Sequence, residues 1–411
     1  VQQLVQNEQI VAGHDIGSGG LITTLLEMTF ADLDLAATYD LSGLGETDTV
    51  KALFNENIAL VLQARNDTAF ETVIKDAGIE AVKIGQVTGI GTVTVKNYTD
   101  SFTFDVADTR DTWFKTSYLL DQKQSKNSMA DERFKNYKSQ PLIYRFPEHF
   151  TGQRPVVSTL QKRPKAAIIR EKGSNSEREM ANAMYLAGFD VKDVHMTDLI
   201  SGRETLADIQ FIGAVGGFSN SDVLGSAKGW AGAFLYNATA RKALENFFAR
   251  PDTLSIGICN GCQLFMELEL INPEHEIHGK LLHNTSQKHE SNFVSVTIQK
   301  NNSVMLSTLA GSTLGVWISH GEGKFNLPYS EDQYNIVAKY AYEQYPHNPN
   351  GSAFNTAMLC DKTGRHLVTM PHIERSTFQW NWAYYPADRR DEVTPWVEAF
   401  VNARKWIETQ R

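Results

Sequence analysis

From Lys165 onward, short apolar runs alternate with segments whose apolar residues recur every three or four positions. KAAIIR (165–170), DVKDVHM (190–196), IQFIGAVGG (209–217) and LSIGI (254–258) read as strands. EREMANAMYLAG (177–188), NATARKALENFFA (237–249) and GCQLFMELELI (261–271) read as helices; Asn175 or Ser176 is the expected N-cap of the first and Gly188 its end. Strand–helix alternation with short connections predicts an α/β fold, a parallel sheet covered by helices on both faces. Ligands in such sheets sit at the carboxyl ends of strands, where Gly216–Gly217 and Cys259 fall. Residues 1–110 mix signals: LITTLLEMTFADL (21–33) has helical spacing, IALVLQA (58–64) is strand-like, and TVIKDAGIEAVKIGQV (72–87) reads as helix, glycine, strand. Residues 111–164 are polar, charged and interrupted by prolines, the pattern of a solvated helix plus a linker. Three stretches result: 1–110, 111–164 and 165–411.

Composition narrows the class. The 411 residues suffice for two or three domains, and 42% hydrophobic with 21% charged residues is the balance of a soluble globular protein. No apolar run approaches a membrane span, and the start carries no signal-peptide pattern. A net charge of −9 argues against a nucleic-acid surface. Three cysteines (Cys259, Cys262, Cys360) are too few for a disulfide framework and fit a reducing, cytoplasmic setting. The chain opens with Val1 rather than methionine, which suggests a piece of a longer polypeptide.

The chemistry concentrates at Gly257-Ile258-Cys259-Asn260-Gly261, a G-x-C-x-G turn between a strand and a helix. A central residue on so sharp a turn is strained, so its neighbours two away must be small. The following helix directs its N–H groups at the sulfur and favours thiolate over thiol. The Asn260 N–H is then placed to hold an oxyanion. Other roles stay open: a Cys-x-x-Cys redox pair with Cys262, half a zinc site with His275, His278 or His283, or an inert buried thiol. Glycine at both −2 and +2 is not needed by a redox pair, and the histidine spacing is irregular for zinc. A nucleophile needs a base, and MPHIER (370–375) offers His372 with Glu374 two residues on. In an extended segment those side chains point the same way.

GICNGCQ, GGFSNSDVLGSAKGWA (216–231), REKGSNSEREM (170–180), SHGEGKF (319–325) and MPHIER occur together, with TPWVEAFVNARKWI near the end. In combination they resemble the class I glutamine amidotransferase domain of the phosphoribosylformylglycinamidine synthase family, over about 165–411. GHDIGSGGL (13–21) resembles the carboxyl half of an AIR-synthetase-like domain, departing at Ser18, where many relatives carry Asp; TSYLLDQKQSKNSMADE resembles the segment joining the two. The resemblance implies a flavodoxin-like, mostly parallel sheet with flanking helices, preceded by part of an α+β domain. It implies hydrolysis of glutamine by Cys259, His372 and Glu374 through a γ-glutamyl thioester, with Gly217 and Asn260 as oxyanion donors. Gln263, Asn292, Phe293 and His320 are then expected at the glutamine pocket, and Cys262 becomes an inert helix residue. No metal or cofactor is expected in the glutaminase domain. ATP and Mg2+ are expected for the complete synthetase, where ammonia converts formylglycinamide ribonucleotide (FGAR) to its amidine (FGAM). The implied partners are glutamine, an N-terminal synthetase portion, and FGAR and ATP at a distant site, with no nucleic acid or membrane. A catalytically silent fragment, or another class I amidotransferase or cysteine hydrolase, are the competing readings.

Overall fold

A computed structural model describes residues 1–139, 142–157 and 162–410. The chain divides into two compact units, Val1–Leu120 and Asp121–Arg411.

In the first unit, the described residues form a four-stranded sheet in the order 85–89, 35–40, 92–97, 100–105 and a two-stranded ladder of 10–15 with 60–64. The 21–33 periodicity yields a helix only over Gly20–Glu27, whose Leu21, Ile22 and Leu25 are buried with Leu41, Leu53, Val93 and Val95. Glycine at position 20 is a packing requirement. Its φ is +76°, and a Cβ there would come within 2.6 Å of the Phe54 Cα. The strand expected at 58–64 is Leu60–Ala64, and the 72–87 stretch supplies the end of a helix, Asp67–Asp76, and the start of strand Gly85–Gly89.

The second unit carries a nine-stranded sheet among its described residues. Its strands are β1 (Lys165–Arg170), β2 (Asp190–His195), β3 (Phe211–Ala214), β4 (Leu254–Ile258), β5 (Glu290–Ile298), β6 (Thr313–His320), β7 (Asn335–Tyr340), β8 (Thr356–Cys360) and β9 (His366–Thr369). The order is β6-β5-β7-β8-β9-β4-β3-β1-β2. From β2 to β9 every pairing is parallel, and β2-β1-β3-β4-β9 is the 2-1-3-4-5 order of flavodoxin-like sheets. From β9 outward through β8, β7, β5 and β6 every pairing is antiparallel. The central strand β4 is buried at all five residues, as a strand covered on both faces must be.

Among the described residues, the longer helices that flank the sheet are α1 (Glu177–Ala187), α2 (Lys228–Leu235), α3 (Ala238–Ala249), α4 (Asn260–Glu267) and α5 (Trp396–Thr409). The first ends at Gly188 in the left-handed conformation, as expected. Ser176 occupies its N-cap position, but at φ +73° its side chain makes no capping bond. Asn237 caps α3 by accepting from Ala240 N at 2.9 Å. One core joins both halves of the sheet, and Trp230, Phe247, Phe265, Trp396 and Phe400 are fully buried in it. Each such side chain contributes about 1.5–3 kcal/mol by burial.

The stretch 111–164 is more than a solvated linker. Its first part completes helix Val106–Gln124, and helix Met129–Asn136 follows. Arg133 of that helix pairs at 2.5 Å with Glu290, which is 2% exposed at the start of β5. Residues 140–141 and 158–161 of the stretch lie outside the described residues.

Candidate active site

The carboxyl ends of β1, β3, β4 and β9 converge on one place. Cys259 follows β4 at φ +52° and ψ −105°, a left-handed backbone that side chains rarely adopt. The flanking glycines make the turn possible. A Cβ on Gly257 would meet the Gly261 carbonyl oxygen at 2.5 Å, and one on Gly261 would overlap the backbone of Ala214. The turn thus presses α4 onto β3 and β4, and sets the sulfur at the helix N-terminus. Cys259 is 5% exposed, with Sγ 3.5 Å from the Ser319 carbonyl oxygen at the end of β6.

Gly216 and Gly217 follow β3. A Cβ on Gly216 would meet His372 Cε1 at 2.7 Å and Cys259 Cβ at 3.4 Å, so this glycine leaves room for both. Gly217, at φ +118°, packs on Ser174 and Asn175 after β1, and Asn175 N donates to Gly216 O at 2.8 Å. Among the described residues no acceptor is recorded for the Gly217 or the Asn260 N–H. The Asn260 side chain is fully engaged: it accepts from Ser219 N at 3.2 Å and donates to Gln263 Oε1 at 2.9 Å and to Asp222.

His372 and Glu374 are both 2% exposed, and His372 Nδ1 donates to Glu374 Oε1 at 2.6 Å. The segment is not extended. His372 precedes a single 3-10 turn, Ile373–Arg375, so the carboxylate reaches the ring through a tight bend and not through strand alternation. His372 N donates to Trp317 O at 2.8 Å, which fixes the ring's origin to β6. Burial acts to deprotonate His372, but the Glu374 carboxylate and the adjacent Cys259 sulfur outweigh it and raise its pKa to about 10. Burial acts to protonate Glu374; His372 and Arg375 nevertheless hold it below the usual carboxylate range. A pocket of about 580 Å³ opens onto this pair between Ser291, Ser319, Arg375, Phe378 and Trp380.

The remaining expected pocket residues separate. Gln263 lies one turn after Cys259, with its amide spent on Asn260 and on Glu322 O at 2.7 Å. Phe293 is buried and packs among Trp317 and Trp382. Asn292 accepts from Phe293 N; their neighbour Ser291 lines the cavity, while Asn292, Phe293 and Cys259 are not among its lining residues. His320 is buried beside the site with Nδ1 3.2 Å from Asn284 Oδ1; burial, then His372 and His289, push its pKa down to about 3. The motif reading missed Ser319, whose carbonyl faces the sulfur, and Asp222, which braces Asn260. Burial raises Asp222 above its ordinary value, and Glu322 adds to this.

The competing roles of Cys259 find less support. Cys262 is fully buried, and burial together with the Cys259 sulfur pushes its thiol well up, opposite to the need of a redox partner. His278 pairs with Glu269, His283 with Glu322, and His275 sits between Tyr329 and Tyr334.

Residues 163–407 match the model of the CobB/CobQ-like glutamine amidotransferase domain. The chain belongs to this amidotransferase family. Residues 1–96 of the amidotransferase chain also match the C-terminal domain of AIR-synthase-related proteins. The whole chain is 37% identical to the probable phosphoribosylformylglycinamidine synthase, chloroplastic/mitochondrial, of Arabidopsis thaliana and 34% identical to the phosphoribosylformylglycinamidine synthase of Dictyostelium discoideum. Over 98% of its length it is 35% identical to that of Homo sapiens. The chain spans about a third of the length of these relatives, 31%, 34% and 33% respectively. No helix among the described residues is long and apolar enough to cross a membrane.

Proposed function

We propose that this chain hydrolyses glutamine at Cys259 as the amidotransferase part of a phosphoribosylformylglycinamidine synthase. The observation that carries the reading is the strained Cys259 turn, closed by two glycines, with a buried His372–Glu374 pair against Gly216. The sulfur attacks the side-chain amide carbon of glutamine. Negative charge moves to the amide oxygen, for which the Gly217 and Asn260 N–H groups are unspent donors. His372, kept protonated by its raised pKa, gives its proton to the departing ammonia. The neutral ring then takes a proton from water, which hydrolyses the γ-glutamyl thioester and releases glutamate. Glu374 fixes the ring's tautomer and supports its charge.

In the full-length assembly this ammonia would convert FGAR to FGAM, a step in purine biosynthesis for which ATP and Mg2+ supply the activation of the formyl oxygen. Gly19 and Gly20 of the 13–21 loop do not fit that nucleotide. The Gly19 N–H is already bound by Glu56 Oε1 at 2.9 Å, the Gly20 N–H by Gly17 O at 3.0 Å, and Gly20 is packed on Phe54, so neither glycine is open to a phosphate. Three free thiols suit a reducing compartment such as the cytoplasm.

The test is to incubate the chain with a glutamine-analogue chloroketone and map the adduct by mass spectrometry. Modification of Cys259 alone, lost in Cys259→Ser and retained in Cys262→Ala, is the expected result. Labelling of Cys262 or Cys360 instead would end the assignment.

A further inference from the structure

Two cations and two carboxylates meet beside β5, away from the reacting groups. Arg133 contacts Glu290 at 2.5 Å and Asp121 at 3.2 Å, and Lys288 pairs with Asp121. Tyr345 donates its hydroxyl to Glu290 Oε1 at 2.8 Å, and Arg133 also reaches that hydroxyl and lies over the ring. Both oxygens of Glu290 are thus used. Backbone bonds extend the grip: Lys126 N donates to Ser286 O at 2.9 Å, and Asn127 Nδ2 to Thr285 O at 2.8 Å.

A buried ion pair is a poor source of net stability, because desolvation offsets its attraction; its best-attested use is to fix a register. The register held here is specific. Glu290 is the first residue of β5 and faces His320, the last of β6. A slip by one residue would turn every side chain of β5 to the other face. The residues just before Glu290 hold the same end of β6. Asn284 accepts from Gly323 N at 3.1 Å and donates to His320 O at 2.7 Å, and His289 Nε2 is 3.0 Å from Ser319 Oγ. Ser319 O in turn faces Cys259 Sγ.

We propose that the Arg133–Glu290 ion pair, with Asp121, Lys288 and Tyr345, is a positioning clamp that sets the end of β6 against the nucleophile Cys259. Helix Met129–Asn136 is then a working part of the glutaminase. Arg133 touches no substrate; it acts through the 284–290 loop. The inference rests on the glutaminase reading, which supplies the site to be positioned.

The experiment compares the native chain with Arg133→Met, Arg133→Lys and Tyr345→Phe. For each, the rate of Cys259 modification by the glutamine-analogue chloroketone is divided by the rate with iodoacetamide, which needs the thiol but no aligned pocket. Misplacement of a reacting geometry is costly, so Arg133→Met should lower this ratio about tenfold or more, and Arg133→Lys should recover part of the loss. Tyr345→Phe removes a single hydroxyl, keeps the core and should lower the ratio by a smaller factor, which serves if Arg133→Met does not fold. Folded variants with the native ratio would overturn the clamp alone. A native chain that the chloroketone leaves unmodified would overturn the glutaminase reading, and the clamp with it.

Discussion

At the scale of single residues, the site depends on what two glycines lack. Adding a methyl at Gly261 drives it into the Ala214 backbone, which cannot move without shifting β3. Gly261→Ala should cost about 1–3 kcal/mol as overpacking, measured by urea denaturation. It should also lower the chloroketone rate, because Cys259 moves with α4. The His372–Glu374 pair yields a pH prediction with a definite sign. His372 is protonated up to about pH 10, so glutamine hydrolysis should fall on an alkaline limb near that value. Glu374→Gln removes the carboxylate that raises it, and the limb should move down toward the ordinary histidine value of about 6.5. A limb that stays in place would assign it to another group. Both members of the His372–Glu374 pair were legible as residue types in a short motif. Their geometry was not, because the sequence suggested an extended segment where the chain makes a 3-10 turn.

At the scale of elements, two of the strands covered on both faces announced themselves. LSIGI and KAAIIR have the ends read for them, because a fully buried strand is a short apolar run bounded by polar or turn residues. Helix ends were less legible. GCQLFMELELI predicts 261–271, yet α4 stops at Glu267, since Glu269 takes a left-handed φ of +59° that ends the helix. The antiparallel strands β5 to β8 and the parallel strand β9 went unread, because pairing between distant segments decides which face each residue presents. The C-terminal helix α5 closes the core over α1 with Trp396 and Phe400 fully buried. Phe400→Ala should therefore destabilise by about 3–5 kcal/mol, read as a lower urea midpoint. Phe400 lies in the core and not at Cys259, so the folded fraction should keep its labelling rate.

At the scale of the whole molecule, two fully or nearly buried histidines link stability to acid. Burial holds His320 neutral down to about pH 3 and His366 down to about 4. The unfolded chain takes up those protons below about pH 6.5, and the folded chain does not. The contribution of these two histidines is therefore full above about 6.5 and should fall as pH drops from 6.5 toward 4. His372 adds little slope there, because below about 6.5 it is charged in both the folded and the unfolded chain; its own contribution is instead lost as pH rises from about 6.5 toward 10. Urea midpoints at about pH 6 and 4.5 should show the decline, and an unchanged midpoint would refute it. The sequence by itself determined the alternating α/β plan, the one cysteine framed by glycines and the histidine–carboxylate pair. These are local properties: periodicity, small side chains where the backbone turns, and adjacent residue types. Only the tertiary structure decided which distant groups meet. It brought Ser319 to the sulfur and Arg133 to Glu290, and left Phe293 in the core. Such choices depend on strand pairing and desolvation across 60 residues for Cys259 and Ser319 and 157 for Arg133 and Glu290, which no short stretch of sequence encodes.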